Sequence, residues 1–124
     1  NLIKISDISY GFIKEGISLG FVICLRENTN YQSINYKFFQ KRHNKFFYID
    51  RIAIANEYQS LGIGSTLYIK LLSIKDKFNI PICAEVNIDP PNESSINFHR
   101  KHGFSEITES TIKEGYSVVY MEFS

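Results

Sequence analysis

Residues 45–88 read as strand, helix, strand, and no other stretch limits the fold so tightly. "KFFYIDRIAI" (45–54) is β-prone and apolar on both faces except at Asp50 and Arg51, which predicts a strand inside a sheet. Ile63, Leu67, Leu71, Ile74 and Phe78 then recur at steps of four, four, three and four, the apolar stripe of an amphipathic helix over 62–78. Asn79 and Pro81 break it. In "ICAEVNI" (82–88), Ile82, Ala84, Val86 and Ile88 alternate with Cys83, Glu85 and Asn87, the pattern of a second strand. A crossover of this kind joins two parallel strands and is right-handed. That confines the chain to the α/β class.

The flanks complete the order. "SYGFIK" (9–14) and "ISLGFVICL" (17–25) form a hairpin around Glu15-Gly16, and "ENTNYQS" is a polar connector. "INYKFFQKRH" (34–43) carries Ile34, Phe38 and Phe39 at helical spacing. After the turn "DPPN" (89–92), Asn92 caps a helix through about His102, with Gly103 as its left-handed cap. Two strands around Lys113-Glu114-Gly115 finish the chain. The expected order is ββαβαβαββ, a mixed sheet in a single domain spanning 1–124.

Composition removes several function classes. With 44% hydrophobic and 22% charged residues the chain reads as globular. A formal charge of +1 offers no electrostatic case for nucleic acid or an anionic membrane, and "KRHNK" (41–45) is the only dense basic run. No apolar stretch approaches the roughly 20 residues needed to span a bilayer, and no signal peptide is visible. Cys24 and Cys83 sit in apolar runs without metal-type spacing, which suggests buried free thiols in a reducing, cytoplasmic setting and no metal site. Exposed sheet edges would permit a homodimer.

"QSLGIGSTL" (59–67) opens the central helix with two glycines, although glycine costs about 1 kcal/mol against alanine inside a helix. The first turn of a helix has N–H groups without intrahelical partners and carries partial positive charge. Removing Cβ there lets an anion approach closely, so Gly62 and Gly64 read as an anion floor, or as a flexible junction. Familiar phosphate motifs fit poorly. Gly64 is followed by Ser65-Thr66 with no lysine, and seven residues, "ANEYQSL", separate Ile54 from the first glycine.

The stretch Gln59-Ser60-Leu61-Gly62-Ile63-Gly64, together with Asn92, Ser95, Phe98, His99, Gly103 and Phe104 in "NESSINFHRKHGF", resembles the two motifs of the GNAT superfamily of N-acetyltransferases. The likeness covers roughly residues 9–123 and is greatest to a bacterial subgroup with "YxDRI" and "VNxDPPN". It departs from the general pattern in three ways. His99 stands where tyrosine is usual, "NIDPP" is a longer turn, and the strand and helices that precede the hairpin in the family are absent, as if the chain were trimmed at its N-terminus.

The resemblance implies a mostly antiparallel GNAT-like sheet with a central parallel pair, and acetyl-CoA as acyl donor. Its pyrophosphate would rest on backbone N–H groups of Leu61, Gly62, Ile63, Gly64 and Ser65, beside Gln59 and Ser60. Its pantetheine arm would pair with the backbone of Ile52, Ala53 and Ile54 in a gap between the parallel strands, with Asn92 and Ser95 as further contacts. A small-molecule or peptide amine would attack directly. His99 falls at the acid position, or is a helix histidine making one hydrogen bond. Asp50 and Glu85 are the candidate bases acting through water; Asp50 may alternatively be read as pairing with Arg51 or Arg26, and Glu85 as facing solvent. Asn87 would orient the acceptor or a water. Tyr31, Ser33, Asn35 and Tyr36 would line its pocket or pack on the sheet, while His43 and His102 read as surface residues. The alternative to an acyltransferase is a catalytically silent CoA-binding sensor.

Overall fold

The computed structural model describes residues 2–6, 8–58 and 62–124, without the side chains of Ile5, Ser6 and Asn56. Seven strands and three helices follow one another among the described residues. They are β1 (Leu2–Ser6), β2 (Ser9–Lys14), β3 (Ile17–Arg26), α1 (Ile34–Arg42), β4 (Phe47–Ile54), α2 (Ile63–Phe78), β5 (Ile82–Asp89), α3 (Glu93–Lys101), β6 (Ser105–Lys113) and β7 (Tyr116–Phe123). A 3-10 turn, Asn56–Tyr58, lies between β4 and α2. The expected ββαβαβαββ order is therefore preceded by one more strand, β1, which pairs antiparallel with β2 from Leu2↔Phe12 to Ser6↔Ser9. "LIKIS" escaped the sequence reading because a five-residue edge strand leaves too few residues to establish a period.

The chain divides into two compact units, one running up to Leu25 and including Ile49–Asn79, the other Arg26–Tyr48 with Ile80–Ser124. The strand order is β1-β2-β3-β4 in the first and β4-β5-β7-β6 in the second, so β4 contributes to both. In the first unit, Glu15 and Gly16 both take positive φ, the geometry of a tight hairpin turn between β2 and β3. Ile63, Leu67, Tyr68, Leu71 and Ile74 are the buried face of α2, whereas Phe78, expected on the stripe, is 45% exposed. Its position at the last helical turn leaves it beyond the packed stripe. Gly20 in β3 is there for space: a Cβ would stand 2.6 Å from Ile54 Cδ1 and 2.9 Å from the Ala53 carbonyl oxygen. Nothing in the sequence pattern signals that requirement.

In the second unit, β4 and β5 are parallel, in register at Phe47↔Ile82 and Tyr48↔Cys83, as the crossover predicts. β7 pairs antiparallel with both β5 and β6. Helix α1 buries Asn35, Tyr36 and Phe39 and leaves Ile34 60% exposed, so its inward face is rotated from the one the apolar spacing suggests. The reason is polar: Tyr120 donates to Asn35 Oδ1 at 2.9 Å, and the Tyr36 hydroxyl donates to the Arg26 carbonyl at 2.5 Å while accepting from Thr29 N–H. These three bonds satisfy groups that burial would otherwise strand. Asn92 caps α3 by accepting from Ser95 N–H at 3.2 Å, and Gly103 follows the helix at φ +92°.

Candidate active site

The first unit holds the residues assigned to backbone recognition. β4 is buried at Ile49 but opens beyond it: Arg51 and Ala53 are exposed, Asp50, Ile52 and Ile54 half-buried. β4 is an inner strand of the sheet, as expected, but its residues over 50–54 are exposed or half-buried, so Ile52, Ala53 and Ile54 are not simply core. After the 3-10 turn, α2 begins at Ile63 with Gly62 as its N-cap at φ +82°. Among the described residues no side chain caps this end, and no acid lies in its first turn. A Cβ at Gly62 would meet nothing within 4 Å, so the residue is glycine for its left-handed backbone and the space around it is open. Thr66 donates to the Gly62 carbonyl through both its N–H (2.9 Å) and its hydroxyl (3.0 Å), which fixes the first turn. Gly64 and Ser65, half-buried, follow within that turn. Gln59, Ser60 and Leu61 lie outside the described residues. Asp50 lies close enough to Cys24 for its charge, after burial, to help push that thiol up to about 12.

The second unit holds the side-chain chemistry. Glu85 on β5 does not merely face solvent: the Tyr48 hydroxyl donates to its Oε1. Burial first, and then the Glu85 charge, raise the Tyr48 phenol well above its ordinary range, so it stays protonated and donating. Ser33, close by, works against that rise. The same Ser33 Oγ accepts from Tyr36 N–H at 3.3 Å as the N-cap of α1. Tyr31 packs at 5.6 Å on Tyr36 and 6.3 Å on Tyr48. Tyr48 was legible only as the first letter of "YxDRI"; its role is visible once β4 and β5 are side by side at Tyr48↔Cys83.

His99 is 4% exposed on α3, with its ring edge-on to Phe98 and Phe104. Its Nδ1 lies 2.7 Å from the Ser95 carbonyl oxygen, so that nitrogen carries the proton and the neutral ring presents Nε2 as an acceptor. Burial lowers its pKa, against the Ser95 bond and with help from His102. A neutral ring of this tautomer has committed its N–H. Asn92 is occupied as a cap, and Asn87, half-buried on β5, gives its carbonyl to Asn92 N–H at 3.1 Å. Neither of the other histidines is a plain surface residue. His43 Nε2 lies 3.4 Å from Glu122 Oε1, and His102 Nδ1 donates to the Phe98 carbonyl at 2.8 Å. Arg26, one candidate partner for Asp50, is bonded twice at 3.1 Å by Glu27. Among the described residues no three His, Cys, Asp or Glu side chains gather to hold a metal, and no helix is long and apolar enough to cross a membrane.

Residues 9–104 match the model of the acetyltransferase (GNAT) family. A search of curated protein sequences returns no match. Among solved structures, the chain is similar to Arabidopsis thaliana Naa50 in complex with the bisubstrate analogue CoA-Ac-MVNAL, with a TM-score of 0.73 at 20% identity over 95% of this chain and 73% of that one. It is also similar to Ard1 from Thermoplasma volcanium (TM-score 0.70, 18% identity, 94% and 69% covered). A third likeness is to the ribosomal-protein-S18-alanine N-acetyltransferase from Escherichia coli (TM-score 0.67, 18% identity, 94% and 67% covered).

Proposed function

The chain belongs to the GNAT family of acetyltransferases, and on that premise we propose that it transfers an acetyl group from acetyl-CoA to an amine by direct attack, with Glu85 as the base. The observation that carries this reading is the bond from the Tyr48 hydroxyl to Glu85, which orients a carboxylate on a central strand. Such an investment in holding one carboxylate is what proton removal from an ammonium group needs.

The residues present fit the donor. The backbone of Ile52, Ala53 and Ile54, at the less buried end of β4, would pair with an amide-bearing arm. Gly62, with space where a side chain would stand, and the first turn of α2, which no described side chain caps, suit a pyrophosphate. An N–H of β4 would polarise the thioester carbonyl. Glu85, directly or through a water, takes the proton as nitrogen attacks; the C–N bond forms, the C–S bond breaks, and the thiolate leaves. His99 contributes little as an acid at neutral pH, because its N–H is held by Ser95 and burial opposes its protonation. A thiol with a pKa near that of cysteine, about 8.5, departs without a strong donor. His99 is therefore assigned to holding α3, and Asp50, whose charge acts on Cys24, is the weaker of the two base candidates.

The test is calorimetric titration with acetyl-CoA, followed by detection of free thiol over a panel of small amines and peptide N-termini. Binding with amine-dependent thiol release supports transfer. Binding without release with any amine would favour the silent CoA-binding alternative. Absence of binding would overturn both.

A further inference from the structure

In the second unit, a groove of about 820 Å³ lies between α1 and the β6–β7 pair. Its floor is aromatic: Phe38 stacks on Tyr120 with ring centres 4.0 Å apart and planes 10° from parallel. Tyr120 is the cross-strand neighbour of Glu85, so the two side chains share one face of the sheet. Ile34, 60% exposed, extends the apolar wall. The rim is cationic. Lys37 and Lys41, one turn apart on α1, are both exposed, and Arg42 stands beside them with its Nε held by Glu122 at 2.8 Å. Glu109 on β6 is the single acid of the lining.

We propose that this groove receives the acceptor, and that the acceptor is a small amine carrying a carboxylate at the far end of an apolar or aromatic segment. The assignment rests on Glu85 as the base: the amine end lies toward the Glu85–Tyr120 pair, the flat segment on Phe38, and the carboxylate at Lys37 and Lys41. A volume of this size is that of a small-molecule site, and its mixture of apolar wall and few charges is what fixes one orientation. Exposed lysines add modest affinity each, but two of them against one acid discriminate an anion from its neutral isostere.

The probe is 4-(2-aminoethyl)benzoate, compared by calorimetric titration with its neutral amide, 4-(2-aminoethyl)benzamide. The carboxylate is expected to bind about fivefold more tightly at low ionic strength, two weak ion pairs combined, and to lose that advantage in about 0.5 M salt. The ratio is expected to fall toward one in Lys37→Gln/Lys41→Gln and to rise in Glu109→Gln. Equal affinities, no binding of either compound, or a ratio that survives the double variant overturns the inference. Free-thiol detection on the same pair separates it from the transfer reading. Preference in binding with no thiol released by any amine sinks the acyltransferase reading, and the acceptor role with it. Thiol release without preference leaves transfer standing and sinks the groove.

Discussion

The residues proposed for the donor in the first unit and those proposed for the chemistry in the second would work by opposite means. In the first unit the residues proposed for acetyl-CoA are plain: Ile52, Ala53, Ile54 and Gly62 would act through main-chain groups, their side chains only staying out of the way. In the second unit the proposed base is a side chain, Glu85, held by another side-chain atom, the Tyr48 hydroxyl. A backbone site is sensitive to φ, Cβ and proline but tolerant of side-chain chemistry. A side-chain site is the reverse.

That contrast can be broken by mutation, beginning with the side-chain half. Glu85→Gln keeps shape and removes the base, so kcat in steady-state assays is expected to fall about 10²- to 10³-fold, with the calorimetric affinity for acetyl-CoA unchanged. A loss of affinity instead would erase the distinction between the two halves. In the backbone half, Gly62→Val forces a β-branched residue to φ +82°, a conformation it strongly resists. Affinity for acetyl-CoA is expected to drop by about tenfold or more by the same titration, whereas Gly62→Asn, which tolerates the left-handed region, should retain most of it.

Smaller effects sharpen the picture. Gly20→Ala should cost about 1–3 kcal/mol in denaturant unfolding, since the new methyl group has a carbonyl oxygen and a side chain in its place. Acid should weaken the fold through His99. Its folded pKa lies below the unfolded value of about 6.5, so the unfolded chain binds the extra proton first. The contribution is present above that value and is lost as pH falls from it toward the lower folded pKa. Denaturant midpoints taken from pH 8 to 5 should decline, and more shallowly in His99→Gln. Ala53→Ser should change kcat/KM by less than about twofold, because its side chain is exposed and only its main chain is used. A larger change would mean that the strand is read through side chains after all.

The same contrast explains what the sequence revealed. Spacing alone located β4, α2 and β5, because a strand–helix–strand unit writes its burial into apolar periods. Gly62 and Gly64 were visible as anomalies in a helix start. Tyr48 was hidden: a tyrosine in an apolar strand looks like core, and it is buried as core, yet its hydroxyl reaches a residue 37 positions away. Asn35 was named as a pocket or packing residue, but its partner was hidden for a similar reason, since Tyr120 lies 85 positions on. Helix α1 was rotated in the reading because apolar spacing cannot register a buried amide. Gly20 and the first strand left no periodic trace at all.

The two cysteines have a practical consequence. Both are buried, burial holds the Cys24 thiol up to about 12, and it raises Cys83 further still. The reactive species toward disulfide dyes and maleimides is the thiolate, which neither residue supplies at neutral pH. A folded sample should therefore give a flat baseline with such reagents, so that colour appearing over time counts turnovers. A slow rise without any amine would instead report molecules opening up, and one cuvette would serve as both activity assay and folding monitor.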